Sequence, residues 1–267
     1  MSDTESSSPS MGEVARASEP EGAGPPPHPS RANARSILPI KGREDADNIA
    51  DLSHVETWLF DLDNTLYPVD SGLAALFSDQ ITAFVADLTG LPRDEACALQ
   101  KRYLAEHGLT LAGLMAHHDV DPDAYHAWLD KVPIHLADPN PALRAAIARL
   151  PGRRIVFTNA HDAHAERVLE RLELADLFHE VFHIGSAGYA PKPAAAAYER
   201  LTAAHAITPA QTAFFEDTAA NLAPAAALGM TTVLVGEGAA TYEADFVHYR
   251  APDLAEFLAR AKLRKTP

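Results

Sequence analysis

The chain has 267 residues, of which 47% are hydrophobic and 22% are charged, so it is long enough to bury a core and has the composition of a globular protein. Lysine and arginine number 22 against 37 aspartates and glutamates, and the resulting net charge of −15 argues against nucleic acids and membrane surfaces as partners. The single cysteine, Cys97, excludes an internal disulfide and a zinc site built from several cysteines. A chain without disulfides fits a reducing compartment, and we expect it in the cytoplasm.

Residues 1–52 differ in composition from the rest of the chain. Serine, glycine and proline are dense there, and residues 24–29 read Gly-Pro-Pro-Pro-His-Pro. Such a segment buries too little apolar surface to offset the entropy that is lost on ordering. We therefore expect a disordered N-terminal tail over residues 1–52. The acidic N-terminus also lacks the basic start and the apolar centre of a secretory signal.

After the tail, short apolar runs alternate with helical segments. The runs predict buried strands at residues 57–60, 154–158, 181–184, 212–215 and 231–235. Helices are predicted between the last four of these strands, at residues 161–173, 193–205 and 218–228. This alternation predicts an α/β fold with a doubly wound, Rossmann-like parallel sheet.

The interval between the first two strands breaks the alternation. It spans about 90 residues without a strand pattern, which is too long for a simple crossover. Helical patterns fill it at residues 71–88, 93–106, 110–118 and 122–130. We therefore expect an inserted all-helical subdomain over residues 70–138, with a core domain made of residues 53–69 and 139–267. An insertion after the first strand lies at the carboxyl edge of the sheet, where open α/β folds bind ligands.

The strongest motif follows the first strand, where an apolar run ends in Asp61-Leu62-Asp63-Asn64-Thr65. A spacing of two places both carboxylates on one face of an extended chain. Carboxylates this close repel each other unless a divalent cation lies beside them or one of them is protonated. Capping of a turn or a helix is the alternative explanation, since Asp and Asn favour both. The position directly after a buried strand favours a chemical role.

Three further strand ends carry polar residues. Thr158 and Asn159 follow the second strand at a turn into a helix, where a hydroxyl and backbone N–H groups bind anions. Lys192 lies between two prolines, and Glu216 and Asp217 follow the fourth strand. Each alone also fits a helix cap or an exposed loop. Because parallel strands bring all these ends to one edge, together they supply a nucleophile, an acid or base, ligands for a hard cation and groups that hold an anion, as in metal-assisted phosphoryl transfer.

These residues, in this order, resemble the motifs of the haloacid dehalogenase-like superfamily. The resemblance covers residues 56–236, and the helical insertion is similar to the helical cap of one of its subfamilies. More narrowly, residues 61–68, 157–160 and 164–169, together with Lys192-Pro193, resemble the pyrimidine 5′-nucleotidase group.

The resemblance implies a chemical role for each carboxylate. Asp61 would be the nucleophile that attacks phosphorus, and Asp63 would protonate the leaving oxygen and later activate water. Asp61, the backbone carbonyl of Asp63, and Asp217 would hold Mg²⁺, with Glu216 close by. The nucleotidase group often has Asp-Asp where this chain has Glu216-Asp217, which leaves the role of Glu216 open.

The resemblance also implies how the phosphate is held. Thr158 and Asn159 would contact the phosphoryl oxygens, and Lys192 would offset their charge, so that Thr158 and Lys192 join the catalytic set. The implied activity is that of a Mg²⁺-dependent phosphatase acting through an aspartyl phosphate on a small phosphate monoester. A pyrimidine nucleoside 5′-monophosphate is the leading candidate.

Other activities use the same residues and stay open. Phosphoglycolate or sugar-phosphate hydrolysis is one, and a phosphomutase is another, since it differs only in whether water intercepts the phosphoenzyme. A dehalogenase has no use for the leaving-group acid Asp63. A catalytically idle scaffold is the alternative from another class, against which the intact motifs argue. As partners we expect a small phosphorylated metabolite, in particular a nucleoside monophosphate, with neither nucleic acid nor membrane, and a monomer or homodimer.

Selectivity among phosphate monoesters is expected from the insertion, because every such substrate presents the same phosphoryl group to the sheet edge. Arg102, Tyr103 and His107 lie on one predicted helix and are the candidates to stack on, or bond to, a base or a ribose. The alternative is that Tyr103 packs inside the insertion and that the other two residues are solvated.

The chain has 13 histidines, and histidine is a common ligand of transition metals, so a transition-metal site has to be considered. His161 and His164 share a helix face, and His117 is followed by His118. Because neither pair has a convincing third ligand nearby in the sequence, we interpret them as surface or capping residues.

Overall fold

The computed structural model describes residues 49–264 of the chain. The predicted N-terminal tail lies outside these residues except for its last four. Of these, Ala50 and Leu52 are buried in the main hydrophobic core, and Asp51 forms an isolated parallel bridge with Lys262. Residues 50–52, which we expected to belong to the tail, are therefore part of the packed core. They pair with residues near the C-terminus, and local composition does not reveal that partner.

The strands within residues 49–264 are β1 Thr57–Phe60, β2 Arg153–Phe157, β3 Glu180–Phe182, β4 Thr212–Glu216, β5 Thr231–Val235 and β6 Tyr249–Ala251. They form one parallel sheet in the order β3-β2-β1-β4-β5-β6. This is the doubly wound order of a Rossmann-like fold, so the predicted fold class is confirmed. The strand β1 lies where the order changes direction, and the motif that follows β1 therefore ends at the position where such sheets bind ligands.

The helices of the same residues are α1 Leu73–Thr89, α2 Arg93–His107, α3 Thr110–His118, α4 Pro122–Leu129, α5 Pro141–Ala148, α6 Asp162–Arg171, α7 Ala195–Ala204, α8 Ala219–Leu228 and α9 Leu254–Arg260. The helices predicted in the insertion are confirmed as α1 to α4. The helix α5 is missing from the predicted elements. Asn140 caps α5 by accepting hydrogen bonds from the N–H groups of Ala142 and Leu143, and Pro141 begins it.

Side chains alternate across the sheet and fill one apolar layer on each face. Trp58 and Phe60 of β1 belong to the layer that contains α5, α6 and α9, whereas Leu59 belongs to the layer that contains α7 and α8. All three side chains are fully buried. Burial on both faces is typical of parallel sheets that carry helices on each side. The sheet is thus a rigid frame that fixes where β1, β2 and β4 end.

The helices α1 to α4 enclose a hydrophobic cluster of their own. Its buried members are Val85, Ala96, Leu99, Tyr103, Leu111, Leu114, Val120, Tyr125 and Leu129. Leu73 at the start of α1 belongs to the core of the sheet, so α1 connects the two clusters. A separate apolar core supports the interpretation of residues 70–138 as an inserted subdomain, whose exact bounds stay a prediction. Among residues 49–264, no helix is both long enough and apolar enough to cross a bilayer.

Candidate active site

A pocket of about 180 Å³ lies at the carboxyl edge of the sheet. It is lined by residues from the ends of β1, β2 and β4, from the start of α8 and from the loop before α7: Asp61, Asp63, Asn64, Thr158, Asn159, Lys192, Glu216, Asp217, Thr218 and Asn221. Every residue that the sequence motifs assigned to this edge is among them. A larger depression of about 430 Å³ beside α6 and β3 is lined by four acidic residues, two histidines and four apolar residues. With four carboxyl groups and no lysine or arginine in its lining, it does not suit an anionic substrate.

Lys192 is the centre of the charge network in the pocket. Its ammonium group donates to Asp61 Oδ1 at 2.6 Å, to Glu216 Oε2 at 2.7 Å and to the carbonyl oxygen of Phe157 at 2.7 Å. Lys192 is buried, and three acceptors match its three donors. Burial opposes the charge of Lys192, but Asp61 and Glu216 outweigh it and raise the pKa of the lysine above its usual value. Lys192 is therefore a fixed ammonium beside the predicted nucleophile.

The pocket holds more acidic than basic side chains, since four carboxyl groups line it together with one lysine. Burial, followed by the charge of Glu216, raises the pKa of Asp61 to about 7, and burial raises the pKa of Glu216 to about 7. Burial and Asp61 also raise the pKa of Asp217. One oxygen of each of these carboxylates lies within 4.8 Å of the other two. Crowded oxygen ligands whose ionisation is disfavoured fit a divalent cation, which supplies the missing charge when it binds.

Glu216 is tied to Lys192, whereas Asp217 is not. Glu216 is buried, its Oε2 accepts the bond from Lys192, and its Oε1 accepts the backbone N–H of Thr218 at 3.1 Å. Asp217 accepts a longer bond of 3.3 Å from the hydroxyl of Thr218. This arrangement favours Asp61 and Asp217 as the carboxylate ligands of a cation. It gives Glu216, whose role the motif left open, the task of fixing Lys192.

Asp63 lies in a different environment from Asp61. Its Oδ1 accepts hydrogen bonds from the Tyr67 hydroxyl at 2.6 Å and from His164 Nε2 at 2.9 Å, and its side chain is 35% exposed. Burial opposes the ionisation of Asp63, but His164 and Tyr67 outweigh it and hold the pKa of this carboxyl below its usual value. Two neighbouring carboxyl groups with pKa values shifted in opposite directions are typical of acid–base sites.

The interpretation of His164 as a surface or capping residue is wrong, because His164 is 4% exposed and contacts Asp63. Its contact with Asp63 joins positions 101 residues apart, which no local pattern reveals. A signal for its burial was nevertheless present, since His164 shares a face of α6 with the buried residues Ala165 and Val168. His161 occupies the N-cap position of α6, without a capping bond from its side chain, and is buried as well.

Thr158 and Asn159 differ in what their side chains can offer a ligand. The Thr158 hydroxyl accepts a bond from the N–H of Ala160 at 2.9 Å and still has its own proton to donate. Asn159 holds the backbone of Lys192 instead, since its Oδ1 accepts the Lys192 N–H at 2.8 Å and its Nδ2 donates to the Lys192 carbonyl at 3.2 Å. The Asn159 side chain therefore positions Lys192, and its contact with phosphoryl oxygens stays a prediction.

The candidates from the insertion do not line the pocket. Tyr103 is buried in the cluster of α1 to α4, where its hydroxyl lies 2.9 Å from His118 Nε2, so the predicted contact of Tyr103 with a base is corrected. The physical reason is Gly113, because a Cβ at that position would overlap the Tyr103 ring. Arg102 is exposed and its guanidinium group lies over the same ring, and His107 is half-buried against it.

Comparisons with known proteins agree with this geometry. A family model described as haloacid dehalogenase-like hydrolase matches residues 55–229. The chain is 29% identical over 133 residues to phosphate metabolism protein 8 of Saccharomyces cerevisiae, a match that covers 46% of this chain and 41% of that protein. The chain thus matches less than half of the length of this relative.

Solved structures share the fold at low sequence identity. A HAD phosphatase from Thermococcus onnurineus has a TM-score of 0.55 at 19% identity, covering 76% of this chain and 95% of its own. A 2-haloacid dehalogenase from Pseudomonas syringae has a TM-score of 0.50 at 20% identity, covering 77% of this chain and 99% of its own. The fold alone does not separate these two reactions. Because the family model matches more than half of its residues, the chain belongs to the haloacid dehalogenase-like hydrolase family.

Proposed function

We propose that this protein is a Mg²⁺-dependent phosphatase that hydrolyses a small phosphate monoester through an aspartyl phosphate on Asp61. The observation that carries the proposal is the pair of aspartates in opposite environments. Asp61 lies against the ammonium of Lys192, whereas Asp63 accepts two hydrogen bonds and stays partly exposed. A second, separately held carboxyl group is needed when a poor leaving group must be protonated. A dehalogenase, which releases a halide, has no such need.

The proposed reaction has two displacement steps. In the first, a carboxylate oxygen of Asp61 attacks phosphorus, the bond from phosphorus to the ester oxygen breaks, and Asp63 gives its proton to that oxygen. In the second, Asp63 takes a proton from water while the water oxygen attacks phosphorus, and the bond to Asp61 breaks to release inorganic phosphate. The first step requires protonated Asp63. In the free protein His164 and Tyr67 lower the pKa of this carboxyl group, and the negative charge of an approaching phosphoryl group raises it.

Neighbouring residues hold the phosphoryl group in this proposal. The fixed ammonium of Lys192 offsets its charge, and the free hydroxyl proton of Thr158 donates to one of its oxygens. Glu216 and the side chain of Asn159 keep Lys192 in place from two directions. The catalytic groups are therefore supported by residues whose hydrogen bonds are already formed.

The cation in this proposal is Mg²⁺. Asp61 and Asp217, with the carbonyl oxygen of Asp63, are the residues that would hold it, since magnesium favours carboxylate and carbonyl oxygens. A bound Mg²⁺ neutralises part of the charge on the phosphoryl oxygens.

The proposed substrate is a pyrimidine nucleoside 5′-monophosphate, on the strength of the segments that resemble the pyrimidine 5′-nucleotidase group. The yeast relative is named for phosphate metabolism, which supports a phosphate ester and points to no base. Phosphoglycolate, a sugar phosphate and phosphomutase chemistry remain the second candidates. The cytoplasm is the expected location because the chain has a single cysteine and so no internal disulfide.

The test is a hydrolysis screen with the purified full-length chain. Release of inorganic phosphate is measured from 4-nitrophenyl phosphate and then from a panel of pyrimidine and purine nucleoside monophosphates, phosphoglycolate and sugar phosphates, each in Mg²⁺ and in EDTA. We expect Mg²⁺-dependent release, fastest from a pyrimidine nucleotide. Halide release from 2-haloacids without phosphate release from any ester would overturn the proposal.

A further inference from the structure

The carboxylate of Asp63 is held unevenly. Both of its hydrogen bonds, from Tyr67 and from His164, reach the same oxygen, Oδ1. Within residues 49–264, no hydrogen bond reaches Oδ2 of Asp63. Two donors on one oxygen fix the plane of the carboxyl group and leave the other oxygen free. That free oxygen is the one that can carry a proton to a ligand.

His164 is a rigid donor in this arrangement. It is 4% exposed, and Phe77 of α1 meets its ring at a centroid distance of 4.6 Å and an angle of 83°. Its other nitrogen, Nδ1, is buried and has no hydrogen-bond partner within the described part of the chain. Because a carboxylate oxygen can only accept, Nε2, which faces Asp63, carries the proton of this hydrogen bond. A buried polar ring with one nitrogen unpaired adds little to folding stability, which points to a role in function.

His164 and Tyr67 contribute differently. Tyr67 lies four residues after Asp63 in the same turn, and so it moves with the carboxyl group that it holds. His164 comes from α6, which starts beside Thr158 at the end of the neighbouring strand. The bond from His164 therefore fixes Asp63 relative to the side of the pocket where the phosphoryl group is held.

We propose that His164 is a positioning residue that, together with Tyr67, orients Asp63 so that its free oxygen Oδ2 faces the ester oxygen of the bound substrate. The inference rests on the proposed phosphatase function. In the first step, the proton on Oδ2 passes to the ester oxygen as the bond from phosphorus to that oxygen breaks. His164 keeps its own proton throughout and acts only through Asp63.

This role has a signature that a purely structural one lacks. A leaving group of low basicity departs without a proton, whereas an alkoxide needs one. Loss of His164 should therefore slow the first step for an alkyl ester and spare it for an activated aryl ester. The parameter to compare is kcat/KM, because it covers the steps up to departure of the leaving group and excludes the later hydrolysis of the phosphoenzyme.

The experiment compares benzyl phosphate, which has a poor leaving group, with 4-nitrophenyl phosphate, which has a similar shape and a good one. His164→Leu removes the donor and fills the space, and His164→Gln keeps an amide donor at similar reach. We expect His164→Leu to lower kcat/KM for benzyl phosphate about 10²-fold, within the range of general acid catalysis, and for 4-nitrophenyl phosphate no more than about threefold. His164→Gln should recover most of the loss. His161→Leu is the matched control, since His161, at the N-cap of α6, is also buried and makes no hydrogen bond to Asp63, and it should leave the ratio of the two values unchanged.

A double variant tests whether His164 acts through Asp63. In an Asp63→Asn background, His164→Leu should cause no further loss of kcat/KM for either ester. Equal losses for both esters in the single variant, or a further loss in the double variant, would overturn the inference while leaving the phosphatase function intact. Absence of phosphate release from any ester by the unmodified protein would overturn the proposed function itself. Should His164→Leu not fold, His164→Asn replaces it, because its shorter amide does not reach Asp63.

Discussion

The sheet edge and the helical insertion use their polar side chains in different ways. At the edge, Lys192 and Asp63 each take partners from distant parts of the chain, so that polar groups converge on one pocket. In the insertion, Tyr103 bonds to His118 and packs among its own helices. In a parallel sheet, the topology determines where the strand ends lie. The helix α2 is polar on most of its surface, so the face that it buries depends on the helices that pack against it.

The largest effect is expected at the edge, from Asp61→Asn. An amide cannot form the acyl phosphate, so turnover of 4-nitrophenyl phosphate should fall by at least ~10³-fold. The fold should persist, because the amide keeps the size of the side chain and removes a charge that burial disfavours. Steady-state kinetics and a melting curve measure the two quantities. Asp79→Asn, at an exposed position of α1, is the control that should keep full activity, and substantial turnover by Asp61→Asn would contradict the nucleophile assignment.

Substitutions inside the helical insertion should change the stability of the protein rather than its substrate selectivity. Tyr103→Ala removes a buried ring and should lower the free energy of unfolding by about 3–5 kcal/mol, whereas Tyr103→Phe, which loses only the bond to His118, should lower it by about 1 kcal/mol. Denaturant titration measures both values. For Tyr103→Phe and for the exposed control Arg102→Ala, the ratio of kcat/KM between a nucleotide and an aryl phosphate should stay constant. A decrease in kcat/KM for the nucleotide alone would indicate that these residues contact the substrate directly.

A smaller effect is expected in the pH dependence of stability, to which the buried carboxyl groups of the sheet edge should contribute. In the folded protein without metal, the pKa values of Asp61 and Glu216 are about 7, above the values of 3.8 and 4.5 that apply without burial. At these two carboxyl groups the folded state binds more protons than the unfolded state between these limits, so their contribution to the free energy of unfolding is greatest on the acidic side and is lost as the pH rises to about 7.

Magnesium provides the check on this pH effect. Because a bound cation stabilises ionised carboxylates, Mg²⁺ should flatten the fall, and its stabilising effect should be larger at about pH 8 than at about pH 5.5. Denaturation curves at the two pH values, in EDTA and in Mg²⁺, measure this difference. A stabilisation by Mg²⁺ that is no larger at about pH 8 than at about pH 5.5 would contradict the charge arrangement described for the pocket.

The smallest effect is expected from the N-terminus. Deletion of residues 1–48 should leave the melting temperature and turnover unchanged, because the composition of this segment favours no packed structure. Deletion of residues 1–52 is the matched comparison. It removes Leu52, which is fully buried, and the pairing of Asp51 with Lys262, and it should lower the melting temperature by several degrees. A decrease already caused by the shorter deletion would show that the earlier residues also stabilise the fold.

Much of the fold was predictable because its signals are local. The apolar run that ends in Asp61 predicts both the strand β1 and the place of the motif, and the same holds for Thr158 after β2 and Glu216 at the end of β4. Parallel topology then brings these ends together without further information. The strand β6, with three residues, is too short to give a periodic signal of its own.

The rest of the site depends on contacts between distant parts of the chain. His164 reaches Asp63 across 101 residues, and the orientation of α6 that allows it follows from packing against the sheet. The burial of Tyr103 depends on the absence of a side chain at Gly113, one helix away. Ala50 and Leu52 fold because they meet the other end of the chain. In each case, the position of the residue depends on a partner that is distant in the sequence or on a neighbouring helix, and the residue type alone does not predict it.

The two hydrogen bonds between Asn159 and the backbone of Lys192 bear on how this protein can evolve and be engineered. They anchor the backbone of the lysine to the residue that follows Thr158 at the end of β2, in addition to the chain of residues 183–191 that leads up to it. The exposed positions of that loop can then acquire new side chains while the ammonium stays beside Asp61, whereas Ile184 and Ala187 are buried and tie the loop to the core. Variation at those exposed positions is thereby uncoupled from loss of reactivity.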